Sequence, residues 1–269
     1  MNEFPKIALL VITYKRLEVL QRTLEALREN LHYPADKLHI VVSDDSTGGG
    51  YIGKIKKLKV LKGWGATVHV LETPSRSGWG AHVNIAHAHI MAHIDPDYIF
   101  FCEDDYVLTE PIDLRVGAAL LETRPNIGML RYRGTAGTHV IYHQFETDIS
   151  DYVPDYDENA GQSVGKLSYL QLDSGSPTLY LYSHGAHLKR MKPKQGHKAW
   201  HEHYLNYPEG LVLGQTEEAA AHIAKDRMKL DGAPALAILP AYIRMVFQHI
   251  GESYQGSSDD IGDKIEALG

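Results

Sequence analysis

The chain has 269 residues with 27 Lys plus Arg against 34 Asp plus Glu, a net charge of −7. Its 43% hydrophobic and 23% charged content is ordinary globular usage, which excludes disorder, collagen and coiled coil for the whole, while the acidic balance counts against tight nonspecific DNA binding. One cysteine, Cys102, excludes an internal disulfide framework and any CxxC zinc site.

Ile7–Ile12 is a continuous aliphatic run suited to a strand buried on both faces. Leu17, Leu20, Leu24 and Leu27 then recur at helical spacing to about Asn30. Leu38–Ser43 and Thr67–Leu71 are further short strand candidates, with an amphipathic segment, Tyr51–Lys62, between them. Val83, Ala86, Ile90 and Ile94 predict a helix over Trp79–Ile94, and Tyr98–Cys102 a fourth strand. Strands alternating with helices predict βαβ crossovers and a mostly parallel sheet over residues 1 to about 110. In the second half, Ile127–Arg131, Lys166–Leu172, Thr178–Ser183, Ala235–Leu239 and Tyr242–Ile250 read as strands. Thr216–Leu230 reads as a helix with Glu217 and Glu218 in its first turn, as the helix dipole favours. The acidic, aromatic segment Asp148–Gly165 is expected to be a loop that orders on ligand binding, and 251–269 a mobile tail. No linker composition divides the chain, so one α/β domain is expected, with an irregular half at about 111–250. The longest early apolar run, Ile7–Ile12, falls far short of the ~20 residues of a membrane helix. Met1–Lys6 lacks the features of a signal peptide. A cytoplasmic location is the expectation.

The sharpest chemical signal is Glu103-Asp104-Asp105, where an apolar strand ends in three carboxylates. Strand periodicity puts Glu103 and Asp105 on one side and Asp104 on the other. The carboxyl edge is where open α/β sheets bind ligands, and an oxygen-preferring divalent cation relieves the mutual repulsion. A second acidic strand end, Asp44-Asp45, leads into Gly48-Gly49-Gly50; such a carboxylate can accept hydrogen bonds from a ribose or a base edge. The turn after the first strand, Thr13-Tyr14-Lys15-Arg16, contains no glycine, which argues against a dinucleotide-binding fingerprint. No GxxxxGK[ST] loop occurs either. His82, His89 and His93 fall along one flank of the Trp79–Ile94 helix and are expected to be solvated. Lys189, Arg190, Lys192, Lys194 and Lys198 are expected to form an exposed charged loop near Trp200.

The ordered series Val11–Arg16, Val42–Ser46, Ser75–Gly78 with Asn84, and Glu103–Asp105 resembles a family 2-type glycosyltransferase of the GT-A fold. The resemblance covers about residues 6–110. It implies a nucleoside-diphosphate-sugar donor, UDP-sugar before others, and a Mn2+ or Mg2+ cofactor. It places Thr13, Tyr14 and Arg16 beside the base, Asp44 or Asp45 on the base or ribose, and Arg76 facing the nucleotide or its phosphates. Gly78, Asn84, Glu103 and Asp104 complete the donor side. Asp105 is the expected metal ligand, with Glu103 as a further one, because the usual DxD begins here with Glu. The Phe247–Ser253 segment resembles the late strand whose histidine, here His249, completes the metal site. For the catalytic base the resemblance points to a late helix start: Glu217 first, then Glu218, with Glu202 of His201-Glu202-His203 as competitor. Inversion is the expected outcome. The acceptor is left open among glycan, lipid-linked sugar, protein, small molecule and hydroxylated nucleic-acid base. The rival readings are a sugar-1-phosphate nucleotidyltransferase, which needs a glycine-rich first turn, and a catalytically silent binding protein of the same fold.

Overall fold

A computed structural model describes residues 4–45, 50–73, 76–77, 79–123, 127–132, 143–145, 167–171, 186–191, 235–238 and 246–250. Strand β1 (Ile7–Thr13) is fully buried, as its unbroken aliphatic run requires. Helix α1 (Leu17–Asn30) follows and buries Leu20, Leu24 and Leu27. After the short β2 (Leu31–His32) come β3 (Leu38–Asp44), α2 (Tyr51–Ile55), α3 (Lys59–Lys62) and β4 (Thr67–Glu72). The amphipathic segment Tyr51–Lys62 thus forms two helices, separated at 56–58. Helix α4 (Trp79–His93) leads to β5 (Tyr98–Glu103). Next come β6 (Tyr106–Leu108), β7 (Ile112–Asp113), α5 (Leu114–Thr123) and β8 (Ile127–Tyr132). The remaining described strands are β9 (His143–Phe145), β10 (Leu167–Gln171), β11 (Ala186–Arg190), β12 (Ala235–Ile238) and β13 (Phe247–His249).

Among the described residues these form a sheet in the order β4-β3-β1-β5-β11-β8-β12-β10-β9. The first four strands are parallel, as βαβ connections dictate; β11 is antiparallel to β5 and β8. Alternation along β1 sorts its side chains: Ile7, Leu9 and Val11 join α1, Val116 and Leu120 of α5, and Phe100 in one core. Each such aliphatic side chain contributes roughly 1.5–3 kcal/mol by leaving water. The other face is met by α4, which buries Val83, Ala86 and Ile90. Gly117 lets α5 approach β8, because a Cβ there would collide with the Tyr132 hydroxyl and crowd Leu188.

Two sequence expectations are corrected here. Lys189 and Arg190 are not in an exposed loop: they lie in the buried strand β11, 2% exposed each. Arg190 pairs with Glu122 and donates to the Leu121 carbonyl and the Tyr98 hydroxyl, so its charge is met by partners distant in sequence. His82 is not solvated either; it is buried against Ser43 at 2.8 Å, whereas His89 and His93 stack on each other near the surface. The expected strand Thr178–Ser183, the loop Asp148–Gly165, the helix Thr216–Leu230, the tail 251–269 and residues Lys192, Lys194, Lys198 and Trp200 lie outside the described residues.

Candidate active site

The register of the parallel strands builds the site. Thr13 stands beside Asp44, and Ile12 beside Glu103, so the carboxyl ends of β1, β3 and β5 finish level. The chain then leaves β1 through Lys15, which has a left-handed φ of 52°. An L-residue costs about 1–2 kcal/mol in that conformation, and here its surroundings impose it. The Lys15 N–H donates to Asp44 Oδ1 at 3.3 Å, and the Tyr51 hydroxyl donates to the Lys15 carbonyl at 2.7 Å. The bend sends Tyr14 one way and Arg16 the other.

Arg16 turns to the acidic strand end. Its guanidinium contacts Asp104 through Nη2, and through Nε at 3.2 Å, and reaches Asp105 Oδ2 through Nη1 at 2.9 Å. The Thr13 hydroxyl donates to Asp104 Oδ2, and the Thr23 hydroxyl to the Asp104 carbonyl. The periodicity argument that separated Asp104 from Asp105 fails because β5 ends at Glu103 and both aspartates lie in the following turn. All three carboxylates are buried, with Asp104 fully so. Burial pushes Asp104 up to about 7, against the opposing pull of Arg16, with Asp105 raising it further and the Thr13 hydroxyl lowering it. Burial disfavours the Arg16 charge, but Asp104 and Asp105 outweigh it and hold its pKa above the usual value. Cys102, directly before the turn, is kept a thiol by burial and then by Glu103, Asp105 and Asp104.

The second acidic strand end organises a separate loop. Asp45 accepts from the Thr73 hydroxyl at 2.9 Å, the Ser77 hydroxyl at 2.7 Å and the Ser77 N–H at 3.0 Å. It therefore ties the segment that enters α4 to the end of β3. Arg76 lies over the Tyr14 ring, 4.5 Å from its centroid, with the Lys15 ammonium 5.2 Å from the same ring. Below them, the neutral His82 ring shares its hydrogen bond with Ser43; burial lowers its pKa to about 4, with Asp45 opposing. Asn84 is half-buried on α4, and Gly78 lies outside the described residues.

Strand β13 closes the acidic side. His249 pairs with Tyr106 in antiparallel register, and the Ile250 N–H donates to the Asp105 carbonyl at 2.8 Å. The backbone of His249 thus runs beside Asp105, although 144 positions separate them. Its side chain lies outside the described residues, as do Glu202, Glu217 and Glu218. Among the described residues no three His, Cys, Asp or Glu side chains converge as a metal-ligand set. The donor chemistry nevertheless suits a hard cation. Glu103, Asp104 and Asp105 are consecutive and buried, with Arg16 the guanidinium bonded to the two aspartates.

Sequence reasoning assigned no role to Ser77, Thr73, Thr23 or Ser43. Ser77 and Ser43 lie inside the quoted Ser75–Gly78 and Val42–Ser46 segments, so their placement was readable; Thr73 and Thr23 need the folded partner to be seen.

An α/β sheet with an acidic turn at its switch edge, flanked by an Arg-Tyr stack and a second aspartate pair, defines the class: a glycosyltransferase domain of the GT-A fold. A sequence model described as Glycosyl transferase family 2 matches residues 8–174, and the chain belongs to that family. No curated protein matches the sequence. Among solved structures it is similar to S. aureus TarS 1–349 in complex with UDP, at 16% identity and TM-score 0.56, covering 90% of this chain and 60% of that one. It is similar to the mannosyltransferase PcManGT from Pyrobaculum calidifontis in complex with GDP-Man and Mn2+, at 13% identity and TM-score 0.51, covering 88% and 57%. GalNAc-T7 with UDP, GalNAc and Mn2+ shares 12% identity at TM-score 0.54, covering 92% and 44%. The chain thus spans only part of each matched structure, and the likeness is one of fold.

Proposed function

We propose that the chain transfers a sugar from a nucleoside-diphosphate sugar, UDP-sugar before others, to a hydroxyl acceptor with inversion. The observation that carries this is the convergence of Tyr14, Arg76, Asp44, Asp45 and the Glu103–Asp105 turn on the carboxyl edge of β1, β3 and β5. Family membership and the nucleotide-bound neighbours of the same fold support it.

Each residue group has a task set by its chemistry. Tyr14 offers a ring face to the base, and Arg76 a cation to the donor; Asp44 or Asp45 accepts from a base edge or ribose hydroxyl. Asp45 holds Ser77 and so the loop that borders the donor. Asp105 and His249 would hold Mn2+ or Mg2+, with Glu103 close by. When bound, that ion neutralises charge developing on the leaving diphosphate. Arg16 supplies a positive charge at the same turn, through its Nη1 contact to Asp105. The acceptor oxygen forms a bond to the sugar C1 as the C1–diphosphate oxygen bond breaks. A carboxylate, Glu217 before Glu218 or Glu202, takes the acceptor proton. Among the described residues no helix is long and apolar enough to cross a membrane.

The test is a donor panel with Mn2+, scored by nucleoside diphosphate release, alongside thermal melting with UDP. UDP with Mn2+ is expected to raise Tm, and UDP with chelator to do much less. Saturation at a hundredfold excess over Kd is worth about 2.7 kcal/mol. Equal shifts with and without chelator would refute the metal-dependent reading.

A further inference from the structure

A second concave site opens at the opposite edge of the sheet. Its wall includes Phe4, which precedes β1, and Trp64, which precedes β4, so it lies about 20 Å from the carboxyl edge, one strand length away. Its volume is about 500 Å3, within the roughly 300–1,000 Å3 of small-ligand sites. Three aromatic rings line it, Phe4, Tyr33 and Trp64, together with Arg28, Arg115 and His32. Phe4 and Tyr33 pack edge to face, and the Tyr33 hydroxyl is anchored on the Pro5 carbonyl at 2.6 Å, so this wall is fixed. Among the described residues no Asp or Glu lines the pocket, although the chain carries −7 overall. Of the nearby carboxylates, Asp113 holds Arg115 in a two-pronged pair, Asp97 accepts the Lys6 N–H, and Asp36 stands exposed just beyond Ala35. Arg28 lies flat on Gly63, where an added Cβ would stand 2.9 Å from its Nη1.

We infer that this pocket binds a single ring bearing a phosphate or carboxylate, a sugar phosphate before any other. The indole and phenol faces suit the C–H faces of a sugar ring, and a guanidinium is the group best matched to a phosphate or carboxylate. The site is independent of the donor site, since its residues belong to the other end of the strands.

Isothermal titration of the full chain with glucose 6-phosphate tests the inference, with glucose and inorganic phosphate as half-ligands. Glucose 6-phosphate is expected to bind at least about tenfold more tightly than either half, and Arg28→Ala and Trp64→Ala each to weaken it by about tenfold or more. Arg28 is exposed and Trp64 half-buried, and the milder Arg28→Lys and Trp64→Phe guard against misfolding. Both pocket variants should leave the UDP and Mn2+ melting shift unchanged, whereas Asp105→Asn should leave glucose 6-phosphate binding unchanged. Uridine monophosphate binding that survives Asp45→Asn but is lost in Trp64→Ala would show that the ring can be a base. No heat with glucose 6-phosphate, or equal affinity in wild type and Arg28→Ala, would overturn the assignment whatever the donor site does.

Discussion

His82 makes the fold's stability depend on pH in a way that can be calculated. Its imidazole is 3% exposed, and burial lowers its pKa from 6.5 to about 4. The unfolded chain takes up the proton that the folded chain refuses, so stability rises with pH in this window. The contribution is full above about 6.5 and is lost as pH falls towards 4. At pH 5 an unfolded imidazole is almost fully protonated and the folded one scarcely so, which costs about 2 kcal/mol relative to neutral pH. His39, His69 and His89 are lowered in the same direction, burial first, whereas Asp104, raised by burial to about 7, takes up a proton on folding over the same window and opposes them. The share is isolated by difference. Urea unfolding of wild type and His82→Gln at pH 7.5 and 5.0 should show the variant less stable at pH 7.5, by about 1 kcal/mol for the altered hydrogen bond to Ser43. Its further loss on acidification should be about 2 kcal/mol smaller than that of wild type. Equal losses in the two proteins would show that the His82 ring is not held neutral, and the reasoning from burial would fall.

Four other substitutions probe the site itself. Asp104→Asn should destabilise the fold by about 1–3 kcal/mol in urea unfolding, because Arg16 loses its main partner while remaining partly in water; an unchanged midpoint would show that Asp104 does not order the β1–α1 turn. Asp105→Asn and His249→Ala should each weaken Mn2+-dependent UDP binding with little change in the apo-protein's Tm, and the double variant should lose less than the sum, since both act through one ion; strictly additive losses would separate them. Glu217→Gln should lower kcat by about 10²–10⁴-fold with donor affinity retained, and wild-type turnover in it would pass the role to Glu218 or Glu202.

What was legible in the sequence followed from chemistry that is local. The unbroken aliphatic run of β1 announces a strand covered on both faces, and the abrupt passage from Phe101 to Glu103 announces a sheet edge. The partners of those carboxylates were not legible, since Arg16 reaches Asp104 across 88 positions. A helical wheel correctly aligns His82 with His89 and His93 but is silent about the neighbours of each turn. Ser43 offers a hydroxyl to the first, and His69 a ring edge to the second. Lys189 and Arg190 misled for the same reason: charge suggests solvent unless the satisfying groups, here Tyr98, Leu121 and Glu122 around Arg190, are known to stand alongside.

The turn after β1 shows how far a local rule reaches. Its lack of glycine counts against a loop that cradles a dinucleotide pyrophosphate, which needs glycine for the backbone to approach the phosphates closely. Yet Lys15 adopts the left-handed conformation that glycine adopts at no steric cost. The strain is held by a carboxylate on β3 and a hydroxyl on α2, both of which a sequence window around Lys15 excludes. Holding it has a geometric consequence. Residues on either side of the bend diverge, so Tyr14 lies under Arg76 while Arg16 crosses to Asp104 and Asp105. A relaxed extended turn would keep the alternation of β1 and carry neither side chain to its present partner. The strained residue is therefore the pivot that joins the stacking side of the edge to its acidic side.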